Sequence, residues 1–256
     1  STYGLKPVAE IQFMGFIYSA FDQIISHASR LRNRTRGRLS CPLVIRAPYG
    51  GGIHAPEHHS ESTESLFAHI PGIRVVIPSS PSRAYGLLLA AIRNPDPVIF
   101  LEPKRIYRKV KQNVPDNGEE LSLDTCFVLK EGSDVTLVTW GAMIHETLNV
   151  AKTLDDQGIS AEVIDVATIK PLDIDTIINS VEKTGRCVII QEAAKTCSVS
   201  SEIAALLAEH ALTSLFAPIK RVTGYDTIMP YFKMENTYMP SEKRILDTVK
   251  QVMEYE

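Results

Sequence analysis

Helical and strand-like patterns alternate along the 256 residues and predict an α/β protein of two tandem domains, each built on a parallel sheet. Three observations carry this. The strand-like runs are short, β-branched and almost continuously apolar, as strands buried on both faces are. Stretches with apolar residues at helical spacing separate them. A polar, basic stretch from Pro103 to about Leu123, holding the turn cluster Pro115-Asp116-Asn117-Gly118, divides the series in two.

Taken in order, residues 7–13 read as a short strand, and Phe16, Ile17, Ala20, Phe21, Ile24, Ile25, Ala28 and Leu31 fall on one helical stripe. Leu43 to Ile45 reads as a strand running into a loop at Gly50, Gly51 and Gly52. Ser60 or Ser62 is placed to cap a helix ending near His69. A strand at Arg74 to Pro78, a helix over 82–93 and a strand at Val98 to Glu102 complete the first domain. After the linker, strands are predicted at 135–140, 161–166, 186–191 and 219–223, with helices at 143–156, 173–183, 199–212 and 241–253. The domains are therefore expected at 1–102 and 124–256, with 103–123 between them. No internal repeat or low-complexity tract is present.

Composition narrows the classes of function. Hydrophobic residues at 44% and charged residues at 22% match an ordinary globular chain, and the longest apolar run, Gly86 to Ile92, is too short to cross a bilayer. A formal charge of −3 gives no field for nucleic acid or anionic lipid, although Arg30, Arg32, Arg34, Arg36 and Arg38 form a local basic run suited to a solvated helix end or an acidic partner. Cys41, Cys126, Cys187 and Cys197 are scattered without zinc-ligand spacing, as expected in a reducing compartment: the cytoplasm of a bacterium or archaeon, or a mitochondrial matrix.

The glycine cluster lacks both the Gly-x-Gly-x-x-Gly spacing and the Lys-Ser/Thr of a phosphate loop, so Gly50 to Gly52 serve either a turn with positive φ or a backbone brought close to a ligand. Next come His54, Glu57, His58, His59, Ser60 and Glu61, in a loop just past a strand, where α/β proteins gather reactive groups. Adjacent His58 and His59 do not suit a metal site, whereas acid–base chemistry needs only one imidazole at a cleft mouth. Spacing alone equally allows solvated loop residues.

The runs Pro7-Val-Ala-Glu-Ile-Gln-Phe13, Ala20-Phe21-Asp22-Gln23-Ile24, His58-His59-Ser60-Glu61-Ser62, His69-Ile-Pro-Gly72, Val76-Ile-Pro-Ser79, Glu102-Pro-Lys104 and Tyr107-Arg108 closely resemble the beta subunit of thiamine-diphosphate-dependent 2-oxo acid dehydrogenases. In the second half, Lys183-Thr-Gly-Arg186, Glu192-Ala193, Ala217-Pro218-Ile219, Arg221-Val222 and Gly224-Tyr225-Asp226-Thr227 resemble the same family, in the same order. The resemblance implies a transketolase-like pyrimidine-binding domain followed by a transketolase-like carboxy-terminal domain. It also implies oxidative decarboxylation of a 2-oxo acid with acyl transfer to a lipoyl group, in a heterotetramer with an alpha subunit, with a beta–beta contact and a lipoyl-bearing acyltransferase core. The alpha subunit is expected to hold the diphosphate through magnesium with a Gly-Asp-Gly motif, which this chain lacks.

By matching position, the resemblance sets Phe16 against the aminopyrimidine ring, although Phe16 also fits the buried stripe of its predicted helix. It makes His59 the active-site histidine, with His58 second. Glu61 stands where glutamine is commoner, adding a negative charge beside the imidazoles. A structural potassium ion is implied at the carbonyls of Leu43, Val44, Ala91 and Ile92, with Asn94 and Asp96 close by. Glu102-Pro-Lys104, Glu192-Ala193 and Arg221-Val-Thr-Gly-Tyr-Asp226 are nearer to the branched-chain subgroup; a pyruvate or acetoin enzyme, or a non-catalytic scaffold of the same fold, remain the alternatives. In relatives a glutamate ahead of the stretch matching Gly4-Leu-Lys-Pro-Val-Ala-Glu10 bonds the aminopyrimidine. Only Ser1, Thr2 and Tyr3 precede it here, so the chain as it stands is expected to lack the family's leading segment, and Glu10, with its own place on the first strand, is a poor substitute.

Overall fold

A computed structural model describes residues 1–255 as two compact units. The first holds Ser1–Asp124 together with Thr168–Pro171, and the second holds the remainder. Each unit is built on one five-stranded sheet, with mostly parallel pairing.

In the first unit the order is β1-β2-β4-β3-β8. Strands β1 (Val8–Glu10), β2 (Val44–Tyr49), β3 (Arg74–Val76) and β4 (Val98–Pro103) run parallel, while β8 (Thr168–Lys170) pairs antiparallel with β3. The apolar runs that read as central strands are central: Val44, Val75, Val98, Ile99, Phe100 and Leu101 are all buried. Helix α4 (Pro81–Arg93) starts where Ser80 Oγ accepts the Arg83 N–H and Pro81 fills a first-turn position, where no intrahelical donor is lost.

The structure departs from the sequence pattern in several places. The stripe from Phe16 to Leu31 is not one helix. A 3₁₀ segment (Met14–Ala20) leads into α1 (Phe21–Gln23), a π-helical turn (Ile24–Ala28) and α2 (Leu31–Arg34). Apolar spacing identifies inward residues but cannot separate three windings that differ by a fraction of a residue per turn. Helix α3 (Glu64–Ala68) is capped by neither Ser60 nor Ser62: Thr63 precedes it, and the Ser60 hydroxyl donates to the Pro56 carbonyl. The stretch after Pro103 belongs to the first unit, lying along α4 with Tyr85 donating to Asp116 and the Leu121 N–H to the Gly86 carbonyl. Strand β8 falls in the second half of the sequence, yet completes the first sheet.

The second sheet has the order β10-β9-β6-β7-β5. Strands β6 (Val135–Thr139), β7 (Ala161–Asp165), β9 (Cys187–Ile190) and β10 (Lys220–Val222) are parallel; β5 (Phe127–Lys130) is an antiparallel edge that the sequence did not signal. Helices α5 (Ile144–Asp155) and α9 (Glu242–Met253) bury Val150, Leu154, Ile245, Val249 and Val252 with Leu137, Val163 and Val188. Helices α6 (Ile174–Thr184) and α7 (Val199–His210) contribute Ile177, Val181, Ile203 and Leu207 to the interior. The short α8 (Phe232–Tyr238) is an addition to the expected series.

The interior is not wholly apolar. Thr136 Oγ1 lies 2.7 Å from both Ser180 Oγ and Thr184 Oγ1, fastening α6 to β6. Beside them Glu162, 2% exposed, accepts from Lys183 and from the Gly132 N–H. Burial works to raise the Glu162 pKa, but the Lys183 ammonium, the Ser180 hydroxyl and the Gly132 amide outweigh it and hold the carboxyl below its ordinary value. A carboxylate with a depressed folded-state pKa contributes stability that is complete above the unfolded value and is lost as pH falls through the folded one. Glu162→Gln is therefore expected to lower stability at neutral pH and to flatten its fall in acid. Urea denaturation of the full chain across the acid range checks this; parallel acid limbs would remove Glu162 from the account.

Candidate active site

The two histidines stand in the loop that follows the carboxyl end of β2, on a single 3₁₀ turn, Glu57–His59. Gly15 accounts for their position. A Cβ on Gly15 would lie 2.2 Å from the His58 carbonyl oxygen and 2.9 Å from the ring atom Nδ1, so only a residue without a side chain lets the 14–20 segment approach the histidine turn this closely. From the other side Lys104, 8% exposed, donates to the His59 carbonyl and sits 5.3 Å from the Phe13 ring centroid, a cation–π contact. Phe13 in turn packs on the His59 ring at 4.2 Å.

Phe16 joins this cluster, with its ring 4.8 Å from His58 and 5.8 Å from His59. It is 46% exposed, which corrects the expectation of a buried stripe. Three residues per turn carry Met14 and Ile17 inward and leave Phe16 outward. His59 Nδ1 is buried with no hydrogen-bond partner. Its imidazole is thus fixed by ring packing, with a polar atom unspent. A buried unsatisfied nitrogen costs on the order of 1–3 kcal/mol, and functional sites retain such groups where a ligand or a proton is to be met.

The neighbouring acids are held apart from the imidazoles by partners of their own. Burial and Glu61 together push the Tyr18 phenol far up, with the hydroxyl hydrogen-bonded to the Glu61 carboxylate. Tyr49 donates to Glu64 at 2.7 Å in the buried layer beneath the loop. Sequence reasoning did not single out this pair, because Glu64 reads as an ordinary acid in the first turn of a helix. Nor did it assign roles to Phe13 and Lys104, whose shared contact is visible only once β1 and β4 lie in one sheet. His54 has φ 59° and shapes the loop bend. Among the described residues no group of three His, Cys, Asp or Glu is placed to hold a metal.

The residues expected around potassium lie at the other end of the sheet, where β2 and β4 begin. The Asn94 side chain accepts the Asp96 N–H, and the Asp96 carboxylate accepts from Arg32 at 2.6 Å. The Leu43 carbonyl accepts the Val98 N–H.

Residues 1–110 match the family model of the transketolase pyrimidine-binding domain, and residues 124–245 that of the transketolase carboxy-terminal domain. The chain is similar to the pyruvate dehydrogenase E1 component subunit beta of Bacillus subtilis, with 46% identity over 252 residues, covering 98% of this chain and 78% of that protein. This chain belongs to the family of 2-oxo acid dehydrogenase E1 beta subunits. Other members include the Acholeplasma laidlawii pyruvate dehydrogenase E1 beta subunit, at 46% identity over 97% of the chain and 76% of that protein, and one from Staphylococcus epidermidis at 45% over 98% and 78%. A solved structure described as a split-gene transketolase, an inactive beta4 tetramer, shares the fold of this E1 beta chain: TM-score 0.81 and 24% identity, covering all of the chain and 78% of that one. No helix among the described residues of this family member is long and apolar enough to cross a membrane.

The packing predicts the effect of a single methyl group. Gly15→Ala must displace the His58 backbone, and overpacking of this kind costs about 1–3 kcal/mol. Denaturation of the variant is expected to show that loss; unchanged stability would mean that the histidine turn moves freely and is not fixed by Gly15.

Proposed function

We propose that this E1 beta chain binds the aminopyrimidine of thiamine diphosphate at the Phe13, Phe16, His58 and His59 cluster, and that with an alpha subunit it carries out oxidative decarboxylation of pyruvate. The observation that carries the site is the half-exposed Phe16 ring beside an imidazole whose buried Nδ1 has no partner. A half-exposed aromatic face suits stacking against a flat heterocycle, and the imidazole beside it has a ring nitrogen that no protein group among the described residues engages. When bound, thiamine diphosphate supplies the electron sink for the carbanion left by loss of carbon dioxide. Phe16 offers a face to the pyrimidine. His59 holds and moves a proton at the mouth, with His58 behind it, while Phe13 and Lys104 keep the imidazole in place. Magnesium and the diphosphate are left to the alpha subunit, since this chain has no Gly-Asp-Gly. The lipoyl arm of an acyltransferase core accepts the acyl group.

The relatives named as pyruvate dehydrogenases favour pyruvate over the branched-chain substrate that the sequence motifs suggest. The motifs behind the branched-chain reading have structural employment. Glu102 binds Arg46 in two hydrogen bonds of 2.7 and 3.0 Å, Lys104 holds the His59 carbonyl, Arg221 donates to Ser201, and Asp226 accepts from Thr196. None of these contacts reports the length of an acyl chain. A potassium ion in the first unit would draw on the carbonyls of Leu43, Val44, Ala91 and Ile92, with Asn94 and Asp96 close by, although the Leu43 carbonyl and both of those side chains already have partners of their own.

Two measurements test this reading. His59→Ala in the full-length enzyme assembled with its alpha partner is expected to slow acyl transfer roughly 100- to 10,000-fold while leaving thiamine diphosphate affinity intact. Transfer at the parent rate would remove His59 from the mechanism, and loss of cofactor binding would make it an anchor instead. For the substrate, kcat/KM for pyruvate is expected to exceed that for a branched 2-oxo acid, and the chain without a partner is expected to turn over neither. The reverse ranking restores the branched-chain assignment.

A further inference from the structure

A cavity of about 330 Å³ opens at the end of the first sheet remote from the histidines, lined by Ser29, Arg32, Asn33, Arg74, Asp96 and Lys170 among others. Arg74 begins β3, Asp96 lies just before β4, and Lys170 ends the antiparallel β8. The histidine turn follows the carboxyl end of the six-residue β2, so the two sites lie on the order of 20 Å apart. Gly72 sets one wall: its φ of +86° suits glycine, and a Cβ there would lie 2.1 Å from the Ser29 carbonyl, so the chain entering β3 presses directly on the turn that carries Ser29.

The lining is rich in hydrogen-bond donors that the protein does not use. Arg32 commits its Nε to Asp96, and its two terminal nitrogens have no partner among the described residues. Arg74 commits one nitrogen to Asp124. Lys170 donates to the Ala68 carbonyl at 2.6 Å and has no carboxylate within ion-pair distance among the described residues. Burial alone pulls its pKa below the ordinary lysine value, with no compensating acid. Lys170, partly desolvated and without an ion-pair partner among the described residues, lines the same space as two guanidinium groups, and the one carboxylate in that lining, Asp96, is engaged by Arg32, so the positive charge there exceeds the negative. Two planar forks and a point cation suit the tetrahedral oxygens of a phosphoryl group better than a single carboxylate. The run of Arg30, Arg34, Arg36 and Arg38 flanks Arg32 and adds a local positive field to a chain whose net charge is −3.

We infer that this cavity is a binding site for a phosphoryl-bearing anion, either inorganic phosphate or a small phosphate monoester, held by Lys170, Arg32 and Arg74. The site is separate from the thiamine chemistry, and its test reads binding rather than turnover.

Isothermal titration of the full chain with inorganic phosphate and with glycerol 3-phosphate, at constant chloride, measures the site directly. Saturable binding that weakens about tenfold or more in Lys170→Gln, the loss expected for one charge-assisted hydrogen bond, and that persists in Lys170→Arg supports the site. Tighter binding of glycerol 3-phosphate identifies a monoester as the ligand; equal or weaker binding identifies free phosphate. Arg32→Gln, on an exposed helical turn, gives the same readout should Lys170→Gln fail to fold. Absence of saturable binding by either anion, or binding that survives both Lys170→Gln and Arg32→Gln, overturns the inference.

Discussion

The His58 carbonyl occupies the space where a side chain on Gly15 would stand. Two segments more than forty residues apart thereby reach backbone contact. The consequence spreads outward: the 3₁₀ winding that brings Gly15 inward also turns Phe16 out beside the histidines, and the turn so fixed sets the His59 ring 4.2 Å from the tilted ring of Phe13, which Lys104 also approaches. The cluster is an assembly of three chain segments held by one absent side chain and one buried ammonium.

The second unit uses another device. Its sheet is covered on both faces, and four of the polar groups inside it, Thr136, Ser180, Thr184 and Glu162, are joined into a network. A connected buried network raises the cost of every misregister, because sliding α6 along β6 by one residue breaks several bonds together. A purely apolar contact slides more easily.

Much of this was legible in the sequence. The parallel strands were visible because Val44 to Ile45, Val98 to Leu101, Val135 to Val138 and Cys187 to Ile190 are buried from both faces and carry no alternation to confuse. His58, His59 and Phe16 came from a resemblance whose residues lie in unbroken order, and the structure brings these three rings together. What escaped notice was long-range or weakly patterned. Strands β5 and β8 are edges of four and three residues, too short to show a period. Lys104 looks like any loop lysine until β4 and β2 are paired, and Glu64 like any first-turn acid until Tyr49 is found beneath it. The winding of residues 14–34 is set by what packs on it, not by local preference.

Strand β8 has a bearing on how this molecule can be dissected. Its three residues leave the second half of the sequence, complete the first sheet beside β3 and return, so no single cut separates two self-sufficient pieces. A fragment ending at Asp124 would present the ladder groups of β3 bare to water. An uncovered strand of valines recruits a neighbour's strand. A soluble amino-terminal fragment therefore requires a graft: residues 168–171 rejoined behind Asp124 through a flexible tether, so that the borrowed strand seals its own sheet.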